Sequence, residues 1–146
     1  MRARVIIDTG PLVAFLSERD DAHRWTLAQM ADMPDSLLTC EAVLSEACFL
    51  LHKRHASQTP VLFEMINDGL MINDGLLIVP FHAADHTLAI QTLMRKYADE
   101  PMSFADACLV RMAEFYDDSA ILTLDADFRI YRKYGRQRIE TIMPEA

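Results

Sequence analysis

The stretch VIIDTGPL, residues 5–12, places an aspartate between a run of β-branched residues and a proline. Val5-Ile6-Ile7 predicts a short buried strand, because near-continuous apolar strands suit a sheet that is covered on both faces. Gly10-Pro11 predicts the start of a helix, since proline lacks the N–H that the first helical turn leaves unused. Asp8 therefore stands where a buried strand passes into a helix, and its carboxylate needs an explanation.

The rest of the chain repeats this alternation of short apolar strands and helices. Such an order predicts βαβ units and a mainly parallel sheet of about five strands. The predicted strands are Arg4–Ile7, Leu37–Cys40, Leu76–Val79, Ala120–Leu124 and Glu140–Ile142. The predicted helices are Pro11–Leu16, Asp21–Met30, Glu41–Arg54, Pro60–Ile66, Ala83–Tyr97, Phe104–Tyr116 and Phe128–Lys133.

Length and composition predict one globular domain, with 146 residues of which 51% are hydrophobic and 25% charged. The net charge of −8 argues against a protein that coats nucleic acid through bulk positive charge. It leaves open a nucleic-acid enzyme whose acidic site is offset by bound metal. The sequence has no apolar stretch typical of a membrane span and no signal-peptide core, which predicts a cytoplasmic protein. Cys40, Cys48 and Cys108 are expected to be reduced core cysteines.

Four acidic residues are expected to meet at one edge of the sheet. Asp8 and Asp125 follow predicted strands, and the carboxyl ends of parallel strands line the ligand crevice of an open sheet. Asp106 opens a helix, and Glu46 lies at the margin of an apolar helical stripe, which predicts partial burial. Like charges at close range stay ionised when a cation holds them together. Oxygen ligands of this kind favour Mg²⁺ or Mn²⁺.

Each of these acids also has a purely structural alternative, and taken one at a time the structural roles are the more common. The convergence of all four on one crevice is what favours a metal site. The alternatives are a turn hydrogen bond for Asp8, a capping box of Ser103 with Asp106, a helix cap for Asp125 and a surface ion pair of Glu46 with Lys53 or Arg54.

Four ordered blocks carry a family resemblance: VIIDTGPLVAFL, LLTCEAVLSEACFLL, SFADACLVRMAE and ILTLDADF. They resemble the PIN domain, and within it the bacterial VapC-type toxin ribonucleases. The resemblance implies a three-layer α/β/α sandwich, with residues 1–146 as a single PIN-like nuclease domain. It also implies metal-dependent hydrolysis of RNA that leaves 5′-phosphate and 3′-hydroxyl ends, by the toxin of a VapBC-type toxin–antitoxin pair.

The same resemblance assigns roles to individual residues. The catalytic and metal-binding acids are Asp8, Glu46, Asp106 and Asp125, with Asp127 as an additional candidate ligand and Glu41 as a weaker one. They would hold one or two Mg²⁺ or Mn²⁺ ions. The implied partners are an RNA substrate, an antitoxin protein and a second copy of the chain, with no membrane. Among the supporting hydroxyl groups, Thr123 matches the hydroxyl residue that commonly precedes the last acid by two positions. The residues themselves add Thr9, in the turn beside Asp8, and Ser103, for which orienting a ligand or substrate and capping the helix are alternative roles.

A basic segment, DFRIYRKYGRQR, directly follows the last of these acids. Basic residues interleaved with aromatic ones suit phosphate contact and base stacking. A solvated helix and turn that merely offsets an acidic surface is an equally good interpretation. The residues concerned are Arg129, Arg132, Lys133, Arg136 and Arg138, with Tyr131 and Tyr134 among them.

Other classes of protein fit the sequence less well. A haloacid-dehalogenase-like phosphatase needs DxDxT after its first strand, where this chain has Asp8-Thr9-Gly10. A receiver domain needs a lysine at the end of a late strand, and the corresponding strand ILTLD has none. A DNA flap nuclease needs additional arch segments, for which this chain is too short. A catalytically idle PIN-like scaffold for protein interactions and a housekeeping RNA-processing nuclease remain as alternatives to the toxin.

The hexapeptide MINDGL occurs twice in succession, at residues 65–70 and 71–76. Asn-Asp-Gly is a poor helix-forming sequence, so the preceding helix is expected to end near Asn67 or Asp68. An irregular or single-turn segment would then lead to the strand that starts at Leu76, away from the acids.

Overall fold

The computed structural model describes residues 4–33, 36–67 and 76–145. Its main sheet has five strands, and every pairing within it is parallel. These strands are β1 (Arg4–Ile7), β2 (Ser36–Cys40), β3 (Leu76–Phe81), β4 (Ser119–Leu122) and β7 (Thr141–Ile142). Their order across the sheet is β3-β2-β1-β4-β7, so the predicted parallel sheet of five strands is confirmed.

Helices cover both faces of this sheet. The six α-helices of the described ranges are α1 (Thr9–Leu16), α2 (His23–Met30), α3 (Glu41–Arg54), α4 (Thr59–Asn67), α5 (Thr87–Lys96) and α6 (Phe104–Phe115). The connection through α1–α2 leads from β1 to β2, and the connection through α3–α4 leads from β2 to β3 at one edge of the sheet. The connection through α5–α6 then returns from β3 past β1 to β4. Right-handed crossovers in opposite directions place these two groups on opposite faces. This is the three-layer α/β/α arrangement that the resemblance implies.

The central strand is buried, as its β-branched run predicts. Val5, Ile6 and Ile7 are each at most 1% exposed, and Ile6 lies between Leu38 of β2 and Ile121 of β4. The strand order reverses at β1, so that the carboxyl ends of β1 and β4 are neighbours. In open α/β sheets this reversal opens the crevice in which ligands bind.

One predicted helix and the end of one predicted strand are wrong in part. The predicted helix Ala83–Tyr97 is a 3₁₀ turn at Ala83–Asp85 followed by the separate helix α5, and His86 between them packs on Phe81 with ring centroids 4.5 Å apart. The β4 strand ends at Leu122, two residues before its predicted end.

The predicted helix Phe128–Lys133 does not form. In its place a 3₁₀ turn at Ala126–Arg129 leads into an antiparallel hairpin of β5 (Arg132–Lys133) and β6 (Gln137–Arg138). The hairpin turn has φ of 54° at Tyr134 and 85° at Gly135. These left-handed conformations let the chain reverse direction after Lys133, so that Arg132 and Lys133 pair with β6.

Helix α4 is described as far as Asn67, so its predicted end near Asn67 or Asp68 falls at the edge of the described residues and stays a prediction. The irregular segment predicted from the MINDGL duplication falls on residues 68–75, which lie outside the described residues. Cys40 and Cys108 are buried free thiols, as expected, and Cys48 is half-buried. Over the three described ranges, no helix combines the length and apolar character needed to cross a membrane.

Candidate metal-binding site

Asp8 is the most buried acid of the predicted set, with 7% of its surface exposed. Its carboxylate accepts hydrogen bonds from the backbone N–H of Thr9 and from the hydroxyl of Thr123, each at 2.7 Å. The pKa of Asp8 is raised from 3.8 to about 6: burial raises it most, the two hydrogen bonds lower it, and the nearby charges of Asp106 and Asp125 raise it. Three of the predicted acids are therefore close enough to repel one another.

The fully buried Thr123 connects two of these acids. Its hydroxyl donates to Asp8 and accepts a hydrogen bond from the backbone N–H of Asp125 at 3.0 Å. The Asp125 carboxylate in turn accepts from the N–H of Asp127 at 2.9 Å and caps the 3₁₀ turn that follows. Thr123 therefore determines how the end of β4 presents Asp125 beside Asp8.

Asp106 lies in the first turn of α6 and is half-buried. Its N–H donates to the Ser103 hydroxyl at 3.0 Å, which is the capping arrangement that the spacing predicts. Its carboxylate accepts a hydrogen bond from the Tyr131 hydroxyl at 2.9 Å. Burial raises the pKa of Asp106, the Tyr131 hydrogen bond lowers it, and the charge of Asp125 raises it.

Glu46 is exposed, and its predicted partial burial is wrong. The buried positions of α3 are Val43, Ala47 and Leu51, so Glu46 stands beside that stripe on its solvent side. One carboxylate oxygen accepts a hydrogen bond from the Thr9 hydroxyl at 3.0 Å. Because the N–H of Thr9 also donates to Asp8, Glu46 forms the exposed outer member of the same network.

Gly10 allows a close approach between two chain segments. Helix α1 begins at Thr9 and includes Gly10, so this glycine lies within the first helical turn. A Cβ atom at its position would lie 3.2 Å from Cδ1 of Leu124. The missing side chain therefore lets α1 lie against the segment that follows β4, next to Asp125.

The chemistry of these donors fits a hard divalent cation. All four predicted ligands are carboxylates, and a cation among them would favour their charged forms against the burial and the repulsion that raise the pKa of Asp8. Within the three described ranges, no group of three His, Cys, Asp or Glu side chains is already arranged around a single metal position. The residues supply suitable oxygen atoms, and binding requires some of the side chains to reorient.

The structure separates the basic segment into buried and exposed residues. Lys133 is only 5% exposed, and its amine donates to the Asp117 carbonyl at 3.1 Å, so its predicted contact with RNA is wrong. Arg132 donates to the carbonyls of Arg129, Ile130 and Tyr131 and is held at the end of the 3₁₀ turn. The basic side chains of this segment that are exposed are Arg129, Arg136 and Arg138.

Tyr131 belongs to this site and not to an RNA-stacking surface. The interpretation of its ring as a platform for bases is wrong, because Tyr131 is fully buried and its hydroxyl contacts Asp106. The signal that could have located it is the alternation in IYRKY, where Tyr131 and Lys133 both point inward. Tyr134 keeps half of its surface exposed, while its hydroxyl bonds to the carbonyl of Glu114.

Comparisons with known proteins agree with this fold. The family model described as PIN domain matches residues 5–134. Among solved structures, VapC20 of Mycobacterium tuberculosis, described as a sarcin-ricin loop cleaving toxin, is 19% identical with a TM-score of 0.67, over 84% of this chain and 91% of that chain. No curated protein sequence matches the chain.

Two further similar structures are toxin–antitoxin complexes. VapBC2 from Rickettsia felis, bound to a DNA fragment from its promoter, is 13% identical with a TM-score of 0.60, over 95% of this chain and 97% of that chain. DNA-bound VapBC from Salmonella typhimurium is 15% identical with a TM-score of 0.56, over 96% and 97% of the two chains. At these identities the likeness establishes a shared fold.

Proposed function

This chain belongs to the PIN-domain family, and we propose that it is an endoribonuclease that hydrolyses RNA phosphodiester bonds with Mg²⁺ or Mn²⁺. The observation that carries the proposal is the burial of Asp8 beside Asp106 and Asp125, which raises the pKa of Asp8 to about 6. If the charge of Asp8 had no function, an uncharged residue at this position would make the folded protein more stable. A catalytically idle scaffold gives this buried charge no role.

The acidic residues of the site would differ in their positions around the cation. Asp8, Asp106 and Asp125 would hold the cation, with Glu46 at the exposed side of the site and Asp127 next to Asp125. Mg²⁺ or Mn²⁺ bound there would lower the pKa of a water molecule and neutralise charge on the phosphate.

The hydroxyl groups of the site orient its carboxylates. Thr9 links Asp8 to Glu46, and Thr123 links Asp8 to Asp125. Four carboxylates on one edge would repel the phosphates of RNA, and therefore substrate binding is itself expected to depend on the cation.

We also propose that the chain is the toxin of a VapBC-type pair, with an antitoxin protein as its partner. The support is the shared fold with VapC20 of M. tuberculosis and with two VapBC complexes. Co-expression with the product of an adjacent gene would test this: we expect growth arrest by this chain alone, and growth with a co-purifying complex when both are present. Growth unaffected by the chain would favour a housekeeping nuclease.

The activity itself is tested by incubating a mixed RNA pool with the purified protein. We expect cleavage with Mg²⁺ or Mn²⁺ and no cleavage with EDTA, because the acidic site cannot activate water or accept phosphate without a cation. The new ends are expected to be 5′-phosphate and 3′-hydroxyl, which ligation-based end mapping distinguishes. Cleavage that persists in EDTA, or that leaves cyclic phosphate ends, would rule out the proposed chemistry.

The exposed part of the basic segment is expected to contact RNA phosphates. Replacing Arg129 and Arg136 by Gln together should weaken binding of single-stranded RNA and reduce the slope of log K against log salt by about 1.4, since each phosphate contact contributes about 0.7. Filter binding measured across a series of salt concentrations gives this slope.

Lys133→Gln is the matched control for that experiment. Lys133 is buried against Asp117, so the change should lower the free energy of unfolding and leave the salt slope of RNA binding unaltered. A slope that stays the same in the double arginine variant would show that these two residues form only a solvated surface.

A further inference from the structure

The hydroxyl of Tyr131 donates a hydrogen bond to Oδ2 of Asp106 at 2.9 Å, across 25 residues of sequence. Tyr131 has none of its surface exposed. A buried tyrosine hydroxyl requires a polar partner, and the carboxylate of Asp106 is that partner. The contact joins the C-terminal hairpin to the half-buried acid at the start of α6.

The ring of Tyr131 is held from two sides. It packs edge-on against Tyr97, with ring centroids 5.1 Å apart, and against Phe128, with centroids 5.2 Å apart. The backbone N–H of the next residue, Arg132, donates to the Tyr97 hydroxyl at 2.9 Å. Both the ring and its backbone are therefore fixed, and the hydroxyl has little freedom to leave Asp106.

The hairpin that follows Tyr131 is itself anchored on the end of α6. The N–H of Tyr134 donates to the Glu114 carboxylate at 2.8 Å, and the amine of Lys133 donates to the carbonyl of Asp117. Asp106 and Glu114 lie on the same helix, α6. Tyr131 and the hairpin thus contact both ends of that helix, which keeps Tyr131 in register with Asp106.

From these contacts we infer that Tyr131 is a positioning residue for the candidate metal site, which holds the Asp106 carboxylate in the orientation that a divalent cation needs. A hydrogen bond to one carboxylate oxygen limits rotation of the group and leaves its remaining lone pairs to a cation. The proposal rests on the proposed function, because it takes Asp106 to be a ligand. Removing such supporting hydrogen bonds typically lowers metal affinity or activity about 10- to 100-fold.

Two phenylalanine substitutions separate the positioning of Asp106 from the mere loss of a tyrosine hydroxyl. Tyr131→Phe removes the hydroxyl that contacts Asp106, and Tyr116→Phe is the matched control, because Tyr116 is a half-buried tyrosine at the other end of α6. Mn²⁺ binding is measured without RNA, by electron paramagnetic resonance of the free ion. RNA cleavage is measured against Mn²⁺ concentration, and thermal unfolding is recorded in EDTA.

We expect Tyr131→Phe to weaken Mn²⁺ binding and to raise the Mn²⁺ concentration for half-maximal cleavage, each by about tenfold or more. Tyr116→Phe should keep both values near those of the parent. Parent-like Mn²⁺ binding by Tyr131→Phe would overturn the inference, and so would equal losses in the two variants. If the parent binds Mn²⁺ but cleaves no RNA, the proposed function fails while the binding comparison still decides the role of Tyr131. A parent that binds no Mn²⁺ would overturn both.

Discussion

RNA cleavage by an Asp106→Asn variant is expected to be at least about a thousandfold slower than cleavage by the parent, at saturating Mg²⁺. Asparagine has the shape of aspartate and can still accept the hydrogen bond of the Tyr131 hydroxyl, so the fold should survive. What is lost is the negative charge that would hold the cation. Initial rates on one labelled RNA, together with circular dichroism of each variant, test this expectation.

Asp99→Asn is the matched control, because Asp99 is exposed in the turn after α5 and its charge is not among those that raise the pKa of Asp8 or Asp106. It should cleave RNA at the parental rate. Cleavage by Asp106→Asn at a rate close to that of the parent, with intact structure, would remove Asp106 from the ligand set and with it the proposed site.

In the absence of metal, Asp8→Asn is expected to stabilise the protein at slightly alkaline pH and to lose that advantage in acid. The folded-state pKa of Asp8, about 6, lies above the unfolded value of 3.8. The folded protein therefore binds the proton more tightly, and its stability falls as the pH rises from about 4 to about 6. The difference corresponds to about 3 kcal/mol at full ionisation.

The net gain of the variant is smaller than that, because an asparagine amide nitrogen in place of Oδ2 could not accept the hydroxyl hydrogen of Thr123, a loss of about 1 kcal/mol. We expect the free energy of unfolding at a pH of about 7.5 to exceed that of the parent by about 2 kcal/mol, and to be equal or lower at a pH of about 4. Urea unfolding in EDTA across this pH range measures both.

Bound metal should make the parent more stable than the Asp8→Asn variant at neutral pH. Millimolar Mg²⁺ or Mn²⁺ stabilises a folded state that binds it, and the parent is expected to gain more than the variant. A variant that is less stable than the parent at neutral pH in EDTA, or that gains equally from metal, would show that the buried charge of Asp8 has no such linkage.

The structural and the proposed metal-binding roles of these acids coexist. Asp8 and Asp125 accept backbone hydrogen bonds at the starts of helical segments, and Asp106 belongs to a capping box. Capping therefore does not argue against a metal site. The same hydrogen bonds that end a strand or begin a helix also hold each carboxylate in place at the crevice.

The order of the elements and the position of three acids could be predicted from local patterns. A β-branched run followed by Asp8-Thr9-Gly10-Pro11 identifies a buried strand that leads into a helix, because strand burial and the start of a helix depend on neighbouring residues. The parallel sheet follows from the alternation of strands and helices. These inferences depend on interactions between residues that are close in sequence.

Side chains whose roles depend on distant partners are poorly predicted from the sequence. Glu46 lies beside the buried stripe of α3. A helical projection does not show which of the positions next to that stripe are covered by other parts of the protein. A helical pattern assigns Tyr131 and Lys133 to a solvated surface, whereas positive φ at Tyr134 and Gly135 forms a hairpin in which both are buried.

Fold class, the parallel sheet and the candidate acids could be predicted from the sequence, because hydrophobic periodicity and residue type are local properties. The folded arrangement is needed to know which carboxylates repel one another and which hydroxyl groups hold them. The bond of Thr123 to Asp8 spans 115 residues and that of Thr9 to Glu46 spans 37. These contacts, and the burial that raises the pKa of Asp8, involve segments that become neighbours only when the sheet forms.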